Sequence, residues 1–253
     1  MKRIVLSVLS LMFMSFALHA QKSKTPTTTP PVTANTNQEW KAEMIQLQKD
    51  IYKRSAKYGD ADQAKNALYH LMVLDSTGAS YKDSLMILYF SSQAYVNTVL
   101  LGREILVSQP KNTKALSLVA TSEQSLGAFK EALEHYKSLY VLTSDPLDLY
   151  QIATIEFRLE RFGECKGNVE QIILHPKAKE SKIYIAYNEK EGQEVPLIAA
   201  AWNLRGFIAA SKDQQVDVAK QCYQKALELD ANFALAKSNL EALDKKPTEA
   251  PKK

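Results

Sequence analysis

The chain has 253 residues, of which 45% are hydrophobic and 24% are charged, the balance of an ordinary soluble globular protein. Its formal net charge of +4 gives no reason to expect binding to nucleic acid, which needs a clustered basic face. Eight glycines are few for this length and favour helices over a sandwich of many short strands. Composition therefore argues against nucleic-acid binding and against an all-β fold, and leaves the function open.

Residues 1–20 have the pattern of a secretory signal peptide. A short basic start, residues 1–3, precedes an apolar run at residues 4–18, and Ala20 marks our first choice of cleavage site. The run is too short to cross a bilayer comfortably, for which about 20 residues are needed. Cleavage after Ala17 and a retained anchor helix are the alternatives. We therefore expect an exported protein of the periplasm or cell envelope, with no membrane span after cleavage.

Both ends of the remaining chain lack the apolar residues of a packed domain. Residues 21–38 are rich in threonine and proline and cannot offset their own ordering entropy, so they are predicted to form a disordered linker. Residues 245–253 are predicted to form a polar tail. The folded part is therefore expected at residues 39–244.

Small residues recur along this part at a period of about 34, with one longer interval before the last. They are Ala64, Thr98, Ala132, Cys165 and Ala219. At the fourth position after each stand Leu68, Gly102, Tyr136, Val169 and Tyr223, and at the seventh stand Leu71, Ile105, Leu139, Ile172 and Ala226. Positions i, i+4 and i+7 share one face of a helix, so each set predicts a helix that packs through its small residue.

We interpret each period as a pair of helices joined by a turn. The five predicted pairs occupy residues 39–75, 81–110, 113–142, 147–174 and 202–230. In the first pair the turn is expected at residues 57–60 and the second helix at residues 61–74. The apolar stripe predicted for its first helix consists of Trp40, Met44, Leu47 and Ile51. A further helix at residues 233–243 should cap the array, with Lys237, Asn239 and Glu241 towards water.

The interval from Cys165 to Ala219 is longer than the others by more than half a repeat, which indicates an insertion before the last pair. Residues 182–187 alternate β-branched and aromatic side chains, and Val195 and Pro196 lie across a polar stretch from them. This pattern predicts a small β-hairpin at about residues 181–196, with an irregular loop as the alternative. A lone hairpin is marginally stable in water, so it should lean on a neighbouring helix.

Two of the pairs resemble the tetratricopeptide repeat (TPR), a helix–turn–helix unit that stacks into a solenoid. The match in the third pair is residues 127–140. In the last pair Trp202 and Gly206 match the first helix of the repeat, Arg205 departs from it, and residues 218–230 match the second helix closely. The sequence thus resembles an exported bacterial TPR protein. That resemblance implies an all-α, right-handed TPR-like solenoid of about five helix pairs plus a capping helix.

The resemblance also implies a function: a non-catalytic scaffold or adaptor that binds a protein or peptide in a concave groove lined by the first helices. By their position within the repeat, the partner-binding candidates are Thr121, Gln124, Tyr150, Gln151, Thr154, Arg158, Asn203 and Phe207. We expect Tyr150 and Arg158 to act as anchors that are not needed for folding. The alternative sites are the convex face and the hairpin around Tyr184 and Tyr187.

No catalytic, metal-binding or cofactor-binding pattern is predicted. The four histidines have no metal-ligand spacing, and no glycine-rich phosphate loop occurs. Cys165 and Cys222 belong to second helices of different pairs, so we expect buried thiols, with a disulfide as the alternative in an exported protein. The competing hypotheses are a permanent structural subunit of an envelope or secretion assembly and, less favoured, an enzyme with an unrecognised site. The sequence does not decide whether the protein forms a homo-oligomer.

Overall fold

The computed structural model describes residues 34–75, 78–187 and 191–244. The predicted signal peptide, most of the predicted linker and the predicted polar tail lie outside these ranges. The chain divides into two compact parts, Met1–Lys41 and Ala42–Lys253. Everything described below concerns the second part, apart from the first residues of the first helix.

Helices account for most of the described ranges. They are α1 (Ala34–Tyr58), α2 (Ala61–Leu74), α3 (Ala79–Ser91), α4 (Tyr95–Ser108), α5 (Thr113–Ser125), α6 (Phe129–Thr143), α7 (Pro146–Arg158), α8 (Phe162–Leu174), α9 (Leu197–Ser211), α10 (Val216–Leu229) and α11 (Ala234–Asp244). Helices α1 to α10 form the five predicted pairs, and α11 follows them as the predicted capping helix. Because α1 begins at Ala34, the last residues of the predicted linker are helical. In the described ranges, no helix has the length and apolar character needed to span a bilayer.

The turn inside each pair has the same backbone geometry. One residue of each turn adopts the left-handed conformation: Gly59 (φ +75°), Gln93 (φ +59°), Gly127 (φ +77°), Glu160 (φ +60°) and Gln214 (φ +55°). Their spacing along the chain equals that of the small residues, including the longer last interval. The third and fourth turns are each closed by a 2.8 Å hydrogen bond, from the Ala128 and Arg161 N–H groups to the Glu123 and Glu156 carbonyls. The structure therefore repeats one unit five times.

The small residues of the repeat lie where the helices approach closely. All five are fully buried, and the residues at the fourth and seventh positions after them are buried too. Gly102 shows how close the approach is, because a Cβ atom there would lie 2.2 Å from the Val119 side chain on α5. The predicted register is confirmed, including the second pair.

The first helix packs through a different stripe from the predicted one. Trp40 and Leu47 are exposed, whereas Ile45 and Tyr52 pack against the core of the first two pairs. The predicted stripe was wrong, and the row beside it is the one that packs. Apolar residues occupy two adjacent rows of α1, and only contact with the following helices decides which row is buried.

The insertion before the last pair contains the predicted hairpin. A short 3₁₀ helix (Pro176–Lys179) leads into β1 (Lys182–Ala186), which pairs with β2 (Gly192–Pro196) in antiparallel register. Val195 is fully buried, and Ile183 and Ile185 pack against the main core, so the hairpin leans on its neighbours as expected.

The hairpin also holds the capping helix. The Gln193 side chain of β2 accepts a 2.8 Å hydrogen bond from the Ala234 N–H at the start of α11. The same side chain donates a 3.1 Å bond to the carbonyl of Asn232. Since a helix start has unsatisfied N–H groups, this amide caps α11 from a distant part of the chain. The position of α11 therefore depends on the insertion.

Candidate partner-binding groove

Helices α7, α9 and α11 enclose a hollow of about 460 Å³. It is lined by Tyr150, Thr154, Phe157, Arg158, Asn203, Leu204, Phe207, Leu235 and Asn239. Each helix contributes residues at i and i+4, which share one helix face. Five of the eight partner-binding candidates from the sequence meet here: Tyr150, Thr154, Arg158, Asn203 and Phe207.

The cap of α7 and its buried row of residues determine which side of the helix faces the hollow. Asp145 caps the helix by accepting a 2.9 Å hydrogen bond from the Leu147 N–H, and Pro146 occupies the first turn, where its missing N–H is not needed. The buried row of Leu149, Ile152 and Ile155 then turns the helix so that Tyr150 and Thr154 face the hollow.

Tyr150 is part of the core as well as of the hollow. Only 8% of the residue is exposed, and it packs within the main hydrophobic cluster. Burial raises the pKa of its hydroxyl well above the ordinary value. The expectation that Tyr150 could be replaced without affecting folding is therefore wrong, because its ring fills space between α7 and its neighbours.

Arg158 supplies the positive charge of the hollow. It is exposed at the end of α7, and its guanidinium lies over the Phe129 ring, 5.4 Å from the centroid. Within the described ranges it has no ion-pair partner. The ring contact positions the charge without neutralising it.

Two phenylalanines form the aromatic wall. The Phe157 and Phe207 rings lie 5.4 Å apart and are tilted by 57°. Phe207 remains 41% exposed, so part of its ring is free for a ligand. Sequence reasoning identified Phe207 and missed Phe157, although Phe157 stands at i+3 from Thr154 and so shares its face.

Two asparagines close the opposite side. Asn239 of α11 donates a 2.9 Å hydrogen bond to the Asn203 side-chain carbonyl of α9. The prediction that Asn239 faces water was wrong, because α11 folds back over α9. Leu235 and Asn239 were missed as site residues for the same reason: their place depends on the capping helix and its support by the hairpin.

The other three candidates lie outside the hollow. The Thr121 hydroxyl is hydrogen-bonded to the Tyr136 hydroxyl at 3.0 Å. Gln124 donates a 3.4 Å bond to the Gln151 side chain, which joins the third pair to the fourth. All three are partly buried. They connect helices in this structure, and their partner-binding role stays a prediction.

Comparison with known proteins bears on the fold. No protein-family model matches the sequence, and no curated protein matches it either. Among solved structures, the TPR protein YrrB superimposes with a TM-score of 0.62 at 14% identity, over 83% of this chain and 98% of that one. The fold is that of TPR proteins. Two structures of MamA, one spanning residues 41 to the end from Desulfovibrio magneticus RS-1, give TM-scores of 0.60 and 0.57 at 14% identity, over 75% and 76% of this chain and 93% and 97% of theirs.

Two of the helix pairs bury a glutamate that sequence reasoning missed. In the third pair, Glu123 is 1% exposed and accepts hydrogen bonds from Arg103 at 2.8 Å and from the His135 ring, whose Nδ1 lies 2.7 Å away. Burial works to raise the pKa of this carboxyl, but the His135 and Arg103 contacts outweigh it, and the pKa lies below its ordinary value.

Glu156 occupies the same position in the fourth pair. It is 2% exposed and accepts a 2.6 Å hydrogen bond from the Asn168 side chain. Here burial dominates and raises the pKa, while the Asn168 bond and the Lys137 charge offset it only in part. The two glutamates are one repeat apart, as are His135 and Asn168, and this shared spacing was the sequence signal that could have revealed both sites.

Both cysteines are buried free thiols, as expected. Burial, the main cause, and the Glu156 charge raise the pKa of Cys165 to about 12. Burial likewise raises the pKa of Cys222. A thiol that does not ionise near neutral pH is a poor nucleophile, so these side chains serve as packing residues of the second helices.

Proposed function

We propose that this protein is an exported, non-catalytic scaffold of the cell envelope that binds a protein or peptide partner in the hollow between α7, α9 and α11. The observation that carries the proposal is the convergence of an unpaired cation, an aromatic wall and two amides on one cavity. Arginine and aromatic side chains are the commonest binding anchors. YrrB, which shares the fold, is described as having an unusual peptide-binding site.

The size and lining of the hollow suit one or two side chains of a partner. Its volume of about 460 Å³ lies in the range typical of ligand pockets, about 300–1,000 Å³. Phe157 and Phe207 offer apolar contact area, while Asn203 and Thr154 offer polar groups to a peptide backbone. Such a mixture favours a peptide over a purely apolar ligand.

The envelope location rests on the signal-peptide pattern of residues 1–20. N-terminal sequencing of the native protein should give Gln21 as the first residue, and cell fractionation should recover the protein outside the cytoplasm. An intact Met1 in a cytoplasmic fraction would refute this part of the proposal and leave the groove untouched.

The binding site is tested by capturing partners from an envelope extract with the full chain. The variant Arg158→Ala/Phe207→Ala removes two exposed side chains of the hollow, and we expect capture to fall about tenfold, since each increment of about 1.4 kcal/mol is a factor of ten. A matched control is Arg54→Ala/Leu100→Ala, which removes an exposed cation and an exposed aliphatic side chain elsewhere. Greater loss with the control would move the site away from the hollow.

Deleting the hairpin is not a clean test of the alternative site, because Gln193 holds the start of α11. A better variant is Tyr184→Ser/Tyr187→Ser. These side chains are exposed on the hairpin, so their replacement leaves the Gln193 contacts in place. Full capture by this variant supports the hollow, and loss of capture would assign binding to the hairpin.

A second candidate function, a permanent subunit of an assembly, is favoured by one specific observation. The second helices of the first four pairs each expose one aliphatic side chain at the same repeat position. These are Val73, Val107, Val141 and Leu174, each 80–87% exposed. Regular exposed apolar residues are typical of interaction surfaces. If this row is a permanent interface, the native chain should co-purify with its partners as a stable complex. The variant Val107→Lys/Val141→Lys should no longer be part of that complex.

A further inference from the structure

The repeat identifies the groove side of every first helix, including helices that do not line the hollow. The turns after α1, α3, α5 and α7 are closed by equivalent hydrogen bonds. Their acceptors are the carbonyls of Ser55, Tyr89, Glu123 and Glu156 in the last turn of each helix. Tyr150, Thr154 and Arg158 of α7 therefore correspond to Lys49, Lys53 and Lys57 of α1. The same register gives Asp83, Ile87 and Ser91 on α3, Ser117, Thr121 and Ser125 on α5, and Asn203, Phe207 and Ser211 on α9.

The charges at these groove positions are unbalanced. They include four cations and one acid, Asp83, whereas the whole chain has 32 lysines and arginines against 28 acids. Three of the groove cations lie on α1, the first of the five first helices, and one lies on α7, the fourth. The positions between α1 and α7 are neutral apart from Asp83. A partner that follows the groove from α1 to the hollow thus meets positive charge at both ends of that stretch.

The groove cations have no acidic partner within the described residues, unlike some other lysines. Lys82 pairs with Glu104 at 3.0 Å and Lys166 with Asp213 at 2.7 Å. In the described ranges, Lys49 and Lys53 have no such partner, and Lys57 contacts only the Tyr58 ring at 5.7 Å. Four unpaired cations are therefore available to carboxylates of a partner.

We propose that the partner segment is an extended acidic peptide with one aromatic or aliphatic anchor, which fills the hollow beside Phe207 while carboxylates pair with Arg158 and with the lysines of α1. This deepens the proposed function and depends on it. Packed helices lie about 10 Å apart, so three repeats separate α1 from α7 by roughly 30 Å. An extended chain rises about 3.3 Å per residue, so the segment needs roughly ten residues.

The test uses a phage-displayed library of random dodecapeptides selected on the immobilised full chain. We expect selected peptides to combine aspartate or glutamate with an aromatic or large aliphatic residue. Selection of basic or uncharged peptides would refute the proposal that the partner is acidic, but it would support the proposal that the protein binds peptides. Failure to select any peptide above an uncoated surface would count against the proposed function itself, so the two failures are distinguishable.

Charge reversal then locates the contact. The best selected peptide, labelled with a fluorophore, should bind Lys49→Glu/Lys53→Glu about tenfold more weakly at low salt, because two weak attractions become repulsions. The difference should shrink at high salt, which screens exposed charges. The matched control Lys177→Glu/Lys179→Glu changes the net charge equally on the insertion. Equal weakening by both variants would show a general charge effect and overturn the assignment to α1.

Discussion

The third and fourth helix pairs place a glutamate at the same position and bury it to the same extent, yet Glu123 is stabilised as a carboxylate and Glu156 is not. Glu123 has two hydrogen-bonding neighbours, the Arg103 guanidinium and the His135 ring. Glu156 has the neutral Asn168 as its hydrogen-bond donor. Burial alone raises the pKa of a carboxyl group, and only charged or donating neighbours reverse it.

The difference arises between repeats as well as within them. Arg103 on α4 reaches from the second pair into the third, and Lys137, one repeat later, stands at the equivalent place on α6. Lys137 lowers the pKa of Glu156 through its charge only, without a hydrogen bond. Arginine presents several donors in a planar fork, whereas lysine is a compact point charge. One substitution in the repeat thus changes the character of the next interface.

The largest expected effect concerns the packing shared by both pairs. Ala132 and Cys165 occupy the same fully buried position, so Ala132→Leu should overpack the third pair and cost roughly 1–3 kcal/mol. Cys165→Leu should cost less, since cysteine is already larger than alanine. Urea denaturation of both variants measures the costs. Coincident curves for wild type and Ala132→Leu would show that this contact tolerates expansion.

The next largest effect should come from removing the cation beside each buried glutamate, and it should differ between the third and fourth pairs. Arg103→Ala leaves Glu123 buried with one donor fewer, and we expect a loss of about 2 kcal/mol in the free energy of unfolding. Lys137→Ala should cost well under half of that, because Lys137 makes no hydrogen bond to Glu156. Equal losses in the two variants would contradict the view that the Arg103 hydrogen bond, together with that of His135, lowers the pKa of Glu123.

The pH dependence should have opposite sign in the two pairs. The native pKa of Glu123 is lowered, so its carboxylate stabilises the fold above the ordinary value of 4.5, and this contribution is lost as pH falls. The native pKa of Glu156 is raised, so its ionisation costs stability at neutral pH, and the cost disappears as pH falls through the raised value. At pH 7, Glu123→Gln should destabilise the fold by about 1.5 kcal/mol.

Glu156→Gln should be neutral or stabilising at pH 7, since the amide carbonyl can still accept the Asn168 bond. The Glu156→Gln difference should fade as pH falls through the raised pKa of Glu156, whereas the Glu123→Gln difference should fade only below the ordinary value of 4.5, because the pKa of Glu123 is lowered. Unfolding free energies of the two variants between about pH 3 and pH 8 provide the check. A destabilising Glu156→Gln at pH 7 would mean that its carboxylate is better compensated than its neighbours indicate.

The smallest expected effect lies in the two turns. Glycine occupies the left-handed position of the third pair, and glutamate occupies that of the fourth. A residue with a side chain is strained by about 1 kcal/mol in this conformation. Replacing it by glycine removes the strain, but part of the gain in stability is lost because glycine has more conformational entropy in the unfolded chain. We expect Glu160→Gly to raise the melting temperature slightly and Gly127→Ala to lower it. Opposite shifts would show that contacts of the Glu160 side chain outweigh its backbone strain.

The sequence by itself determined the repeat: its period, its five pairs and the buried row of small residues. It also indicated the hairpin, with an irregular loop as the alternative. Those features follow from side-chain periodicity within one helix or strand, which is local. It also indicated most of the hollow, because positions i and i+4 on α7 and α9 share a face. Tertiary structure decided the rest. The buried row of α1, the core role of Tyr150, the Asn239 contact and the opposite fates of Glu123 and Glu156 each depend on which neighbouring helix supplies a ring, an amide or a charge.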